Sequence, residues 1–212
     1  MVHTLYWSSF SGSLAPLCLL IEGGVPHDTV QVRTKEKEHK TDVYLRDIHP
    51  LGTVPALRLP DGRVLLESAA MVLHLAELAP ALAPAPGSTE RPMYLQWVAY
   101  GSGTLYPAYQ RIYHVEDMVP DEAARPAAKE LAMAGLAPRW KVVDDALAAG
   151  SGPYLFGDTA SAADIYLAML ALWHPEQEPF AAACPKVRAM KNAVWKIPSM
   201  QQALKVHGLP TE

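Results

Sequence analysis

The sequence predicts two parts, an α/β unit with the element order β-α-β-α-β-β-α and then an all-helical domain. Three observations predict this. Short apolar runs alternate with helix-like ones over residues 1–78, a proline-rich stretch interrupts the chain near residue 80, and the spacing beyond it is helical almost throughout.

Residues 2–7 are apolar and aromatic and run into a Ser/Gly cluster, as a strand entering a loop does. Residues 14–22 have helical apolar density. Pro16 is tolerable in the first turn, and Gly23-Gly24 stops the helix. Residues 27–32 alternate like a second strand, and 41–48 suit a short helix that His49-Pro50 breaks. The runs 54–59 and 63–66 flank Pro60-Asp61-Gly62, in which Asp caps a turn and Gly takes positive φ, so an antiparallel hairpin is expected. Residues 68–78 place Met71, Val72, Leu75 and Leu78 on one helical stripe.

Pro80, Pro84, Pro86, Gly87 and Pro92 then make a semi-stiff linker. The expected layout is therefore a domain over 1–79, a linker over 80–92 and a helical domain over 93–212. Helices are predicted over 93–118, over 121–149 with divisions at Pro126 and Pro138, and over 161–173, 185–195 and 199–206. Ser161 with Asp164 three residues on is a variant capping box that starts one of them. The first unit has thioredoxin-like size and order.

The 212 residues include 18 Lys+Arg against 22 Asp+Glu, a net charge of −4, which argues against a phosphate-binding surface because that needs clustered positive charge. The densest charge run, residues 33–40, mixes signs and reads as solvated. No apolar run approaches the ~20 residues of a membrane span, and the N-terminus lacks the basic segment of a signal peptide. Two cysteines cannot build a disulfide framework. A soluble, cytoplasmic protein that binds neither nucleic acid nor membrane is expected.

Three places carry candidate chemistry. In Val54-Pro55 a proline opens a strand, which leaves the backbone groups of Val54 available to an extended peptide; an ordinary edge-strand proline is the alternative. Glu67-Ser68 stands where the hairpin meets a helix. There a carboxylate can hold an ammonium while amides and a hydroxyl take a carboxylate, the head of a free amino acid. Taken singly, Ser68 is otherwise a plain N-cap and Glu67 a favourable partner of the helix dipole. The loop containing Ser8, Ser9, Ser11 and Ser13 opens the first helix and can stabilise an anion such as a thiolate. Lowering a thiol pKa from ~8.5 by two units needs about 2.7 kcal/mol of differential binding. Simple helix capping is the competing role for any one of these serines.

As an ordered set, His49-Pro50-Leu51-Gly52-Thr53-Val54-Pro55-Ala56-Leu57, Asp61-Gly62, Leu66-Glu67-Ser68-Ala69-Ala70, Phe156-Gly157-Asp158 and Ala163-Asp164 resemble the cytosolic glutathione S-transferase family along nearly the whole chain. The resemblance implies a thioredoxin-like glutathione-binding domain, a helical domain that supplies a pocket for a hydrophobic electrophile, a homodimer and a detoxification role, with no metal. It gives Val54, before the family's cis-proline Pro55, to the cysteinyl backbone of glutathione. Glu67 and Ser68 go to the γ-glutamyl head, and Lys35 or His39 to the glycyl carboxylate. Ser13-Leu14-Ala15-Pro16 is similar to bacterial beta-class members, but Gly12 stands where they have a cysteine. That favours serine-type thiolate stabilisation by Ser11 or Ser13, with Ser9 a third choice, over thiol-disulfide exchange. Tyr6 fits the tyrosine position of other classes poorly because it lies within the strand.

Tyr106, Tyr109 and Tyr113 recur at helical spacing and share one face. Facing a cleft they would line the electrophile pocket, with Arg111 stabilising negative charge; facing inward they are core. The expected function is conjugation of the glutathione thiolate to a hydrophobic electrophile. A glutathione-dependent isomerase, lyase or peroxidase, or a non-catalytic binding protein, is the alternative on the same fold.

Overall fold

The computed structural model of the chain describes residues 2–211, so Met1 and Glu212, the outermost residues of the two expected domains, lie outside the described residues. The chain divides into two compact units, residues 1–88 together with 195–212, and residues 89–194.

The first unit begins β1 (His3–Trp7), α1 (Leu14–Glu22), β2 (His27–Gln31), α2 (Asp42–Asp47), β3 (Ala56–Arg58), β4 (Val64–Leu65) and α3 (Ser68–Leu78). The four strands lie in the order β2-β1-β3-β4. β1 and β2 are parallel, and β3 is antiparallel to both β1 and β4. The alternation in β1 buries His3, Leu5 and Trp7 and leaves Thr4 and Tyr6 half-buried on the other side, as the two-residue period of a strand requires. The α/β order expected from the sequence is the one found.

α1 shows why its sequence is apolar nearly all round. Leu14 to Leu20 are all buried, because α3 and a helix from the far end of the chain both pack on it. That last helix, α11 (Pro198–His207), belongs to the first unit and not to the helical half in which the sequence reading placed it. α11 is held to α1 by this packing and by Ser199, whose hydroxyl donates to the Glu22 carboxylate and lies 3.5 Å from Cys18 Sγ, contacts across so long a sequence separation that no local pattern encodes them.

The second unit holds α4 (Arg91–Tyr100), α5 (Tyr106–Tyr113), α6 (Arg125–Ala134), α7 (Leu136–Ala149), α8 (Ala162–Leu172), α9 (Gln177–Ala183) and most of α10 (Pro185–Trp195). The helix expected over 93–118 ends earlier, at Tyr113, and its two parts are joined by a π-turn over Gly101–Leu105. A Cβ on Gly101 would lie 2.8 Å from the Tyr166 ring, so the missing side chain lets this turn sit against α8. The stretch 121–149 divides at Gly135, not at Pro126 or Pro138, since both prolines fall in a first turn where no amide is needed. α9 escapes the sequence reading because Pro175, Pro179 and Pro185 surround and enter it.

The expected capping box is present. Ser161 Oγ accepts from the Asp164 amide, and the Asp164 carboxylate accepts from Ser161 N at 2.9 Å, Ser161 Oγ at 2.6 Å and Leu155 N at 2.9 Å. Asp164 is fully buried, and burial pushes its carboxyl pKa up while these donors oppose the shift. Asp144 does the same work at the start of α10, accepting from Lys186 N at 2.7 Å and Val187 N at 3.0 Å.

Candidate active site

Strand register brings four segments of the first unit to one end of the sheet. Trp7 lies opposite Gln31, so the parallel strands β1 and β2 leave the sheet together. Ala56 lies opposite Tyr6, so the antiparallel β3 enters at that same end, and Leu65 opposite Leu57 returns β4 to it. The loop 8–13, the turns 32–40, the loop 49–55 and the start of α3 at 67–68 therefore share one edge.

The Val54–Pro55 peptide bond is cis. Among the described residues no hydrogen bond occupies the backbone N–H or C=O of Val54. The loop before it is braced by His49, which is 5% exposed. The Leu51 amide donates to His49 Nδ1 at 3.2 Å, which leaves the ring hydrogen on Nε2, 2.8 Å from Thr53 Oγ1. Tyr44 donates its hydroxyl to the Thr53 carbonyl at 2.8 Å. Burial holds the His49 pKa below its usual value; the charge of Glu67 opposes that shift and Lys40 adds to it. Gly52 has φ +59°, and a Cβ there would lie 2.4 Å from the His39 carbonyl, so only glycine allows this loop to meet the turn at 38–40.

Glu67 is exposed and stands before α3 with φ 67°, a left-handed conformation uncommon for a residue with a side chain. Ser68, the first residue of α3, is 8% exposed. Outlying backbone of this kind concentrates at ligand sites, where the surroundings hold it in place. Lys35 is exposed on a short turn and has no ion pair among the described residues. His39 is half-buried, with no hydrogen-bond partner for Nδ1 among the described residues, and desolvation lowers its pKa.

The serine loop separates its candidates by exposure. Ser11 is half-buried and Ser13, the N-cap of α1, is fully buried. Their Oγ atoms are 2.7 Å apart, and Ser11 donates to the Ser8 carbonyl at 2.7 Å. The Ser13 amide donates to Ser11 Oγ at 3.3 Å. Ser9 is exposed, but its hydroxyl is tied to the carbonyl of His207, the last residue of α11, whose helix leaves that acceptor unpaired. Of the three, only Ser11 combines access with a network behind it. Ser13 is placed behind Ser11, where a bound molecule cannot reach it. Tyr6 is engaged elsewhere, edge-on to Tyr44 and accepting from Arg58 Nε at 3.4 Å.

Both cysteines are buried. Burial pushes the Cys18 thiol up to about 12 and the Cys184 thiol up to about 11, which keeps both protonated and unreactive at neutral pH.

In the helical unit the tyrosine face of α5 does not behave as one wall. Tyr109 is a correction to the substrate-pocket reading. It is 1% exposed, accepts a 2.8 Å hydrogen bond from Trp140 Nε1, and lies edge-on to Trp173. Burial pushes its phenol pKa far up, so it is a core residue. Tyr106 is half-buried with its ring edge-on to Trp173, and Tyr113 is exposed, donating to the Trp173 carbonyl at 2.5 Å. Arg111 is exposed on the rim of a cavity of about 310 Å³ that Met118, Val119, Leu131 and Arg139 also line.

Residues 10–78 match the family described as glutathione S-transferase, N-terminal domain, and residues 112–206 match glutathione S-transferase, C-terminal domain. The chain belongs to the glutathione S-transferase family. It is 32% identical to a glutathione transferase of Methylococcus capsulatus strain Bath, with 98% of this chain and 99% of that one covered and a TM-score of 0.82. A glutathione transferase homologue from Sulfitobacter, solved with bound glutathione, superimposes with a TM-score of 0.88 at 26% identity over 99% of each chain. Glutathione S-transferase GstA of Escherichia coli O157:H7 is 26% identical over 208 residues, 97% of this chain and 98% of that protein. The first unit is thus thioredoxin-like, as expected.

Two residues of the site were given no role by sequence reasoning. His49 sat within the quoted family motif, and its bracing bonds depend on a loop path the sequence does not print. His207 lay just past the predicted end of the last helix, and no local signal marks it.

Proposed function

We propose that this glutathione transferase ionises the glutathione thiol by a serine-type site centred on Ser11 and transfers the thiolate to a hydrophobic electrophile. The observation that supports the reading is the strand register, which brings the segments carrying Val54, Glu67-Ser68 and Ser11 to one end of the sheet, with the Val54 backbone unpaired among the described residues.

Val54 pairs with the cysteinyl backbone, Glu67 and Ser68 hold the γ-glutamyl head, and Lys35 or His39 meets the glycyl carboxylate. The thiol proton leaves to solvent. Sulfur then forms a bond to the electrophilic carbon and, with an aryl halide, the halide departs with the carbon–halogen electron pair. Ser11 donates to the sulfur while it is anionic, and a hydrogen bond to a charged partner contributes ~1.5–3 kcal/mol, equivalent to about one to two pKa units. Tyr106, Arg111 and Tyr113 are the side chains of the helical unit offered to the second substrate. The protein acts as a homodimer in detoxification.

The low reactivity of both cysteines favours conjugation over thiol-disulfide exchange. The test is glutathione binding by calorimetry, with conjugation of a generic aryl halide followed by absorbance. Binding with turnover supports the reading. Binding without turnover on any electrophile would favour a binding protein, and no binding would remove it.

A further inference from the structure

His207 is the least expected neighbour of the serine loop. It ends α11, is 1% exposed, and its ring lies 4.9 Å from the Trp7 ring, centroid to centroid. Its Nε2 is 3.5 Å from Ser13 Oγ, while Nδ1 has no hydrogen-bond partner among the described residues. Burial lowers its pKa to about 4, so the ring is neutral at physiological pH and carries a single N–H.

The position of that hydrogen follows from what each nitrogen faces. A buried N–H without an acceptor costs ~1–3 kcal/mol, so the hydrogen sits on the nitrogen that has an oxygen within reach, Nε2. Ser13 Oγ then receives this donor, and the Ser13 hydrogen turns to the nearest acceptor, Ser11 Oγ at 2.7 Å, in preference to the Ser8 carbonyl at 3.3 Å. Ser11 Oγ also accepts from the Ser13 amide at 3.3 Å. With both of its lone-pair directions used, Ser11 has only its own hydrogen to offer. An anionic sulfur is a stronger acceptor than the Ser8 carbonyl that takes this hydrogen otherwise.

We propose that His207 is a positioning residue for the thiolate: it donates through Nε2 to Ser13 and so fixes the hydroxyl chain in the direction His207 to Ser13 to Ser11 to sulfur. This rests on the reading of Ser11 as the thiolate donor. The Ser9 bond to the His207 carbonyl holds the helix end over the loop, so the last helix of the chain sets the polarity of the first helix's N-terminus.

The experiment is an ultraviolet titration of glutathione bound to the wild type and to Ser11→Ala, Ser13→Ala, His207→Phe and His207→Gln. His207→Phe keeps an aromatic ring against Trp7 and removes the N–H. It is expected to raise the bound thiol pKa by about half a unit, since one link of a polarised chain contributes a fraction of a hydrogen bond. kcat/KM then falls about threefold below that pKa and is unchanged above it. His207→Gln, which retains a donor, returns the titration toward wild type. A structural role alone would change stability or glutathione affinity and leave the midpoint where it is.

If Ser11→Ala raises the pKa and His207→Phe does not, the relay is overturned and the serine reading stands. If neither serine variant moves the midpoint, both fall. The ring 15N shifts of the wild-type protein at neutral pH provide a reading that needs no variant: a hydrogen on Nδ1 overturns the proposal, and one on Nε2 supports it.

Discussion

Ser13 Oγ lies 2.7 Å from Ser11 Oγ and is itself fully buried, so of two serines that look equivalent in the sequence only Ser11 is open to a bound molecule, and in the proposed site Ser13 supports it. The difference has a measurable consequence. Ser11→Ala should raise the pKa of bound glutathione by about one to two units and lower kcat at neutral pH by about three-fold to twenty-fold, as the thiolate fraction falls. Ser13→Ala should have a smaller effect on the pKa but should also destabilise the fold, since it removes a buried hydroxyl that bonds Ser11 Oγ and leaves the buried His207 Nε2 without its oxygen partner. Equal effects of the two on the thiol would contradict this division.

In the proposed site Glu67 and Ser68 serve binding and not ionisation. Glu67→Gln removes the charge expected to meet the glutathione ammonium, and a charge-assisted bond of ~1.5–3 kcal/mol corresponds to a Kd raised at least about ten-fold. Calorimetry should show weaker binding with the thiol pKa unmoved. A shifted pKa with unchanged affinity would place Glu67 at the wrong end of the ligand.

The buried neutral His207 makes stability depend on pH. Its pKa is about 4 in the fold against the ordinary histidine value of 6.5, so between these values the unfolded chain takes up a proton that the folded one refuses. Its contribution is complete above pH 6.5 and declines as pH falls toward 4, by about 3 kcal/mol in all. Denaturant unfolding at pH 7 and pH 4.5 checks this, because His207→Phe should flatten the difference. His3, also buried with its pKa lowered by burial and by His74, adds in the same direction.

Cys18 and Cys184 should resist thiol reagents in the native protein and react once it is unfolded. No mixed disulfide should form on incubation with glutathione disulfide, as intact-mass measurement would show. A stable adduct of one glutathione per chain would restore the exchange chemistry that Gly12 argues against.

Asp164 should be costly to replace. Asp164→Ala strips the acceptor from two amides and a buried hydroxyl, and the summed loss is about 3 kcal/mol or more. Equilibrium unfolding should show it, while glutathione affinity of the folded fraction stays as in the wild type. A change below about 0.5 kcal/mol, the level of an ordinary surface substitution, would mean the buried box is not holding α8.

Local chemistry determined much of this protein through its sequence alone. Alternation set β1, the Asp61-Gly62 turn set the hairpin, the apolar stripe with its flanking signals set α1 and α3, and Ser161 with Asp164 announced the start of α8, because each depends on residues within a few positions of one another. Val54-Pro55 and Glu67-Ser68 were legible as candidate ligand groups for the same reason. Only the tertiary structure decided the rest. Strand register put those groups on one edge, and long-range packing returned α11 to α1 and turned Tyr109 into the core. The same packing placed His207 behind Ser13, a contact across 194 positions that depends on burial, complementary shape and a long-range polar contact, none of which leaves a periodic trace along the chain.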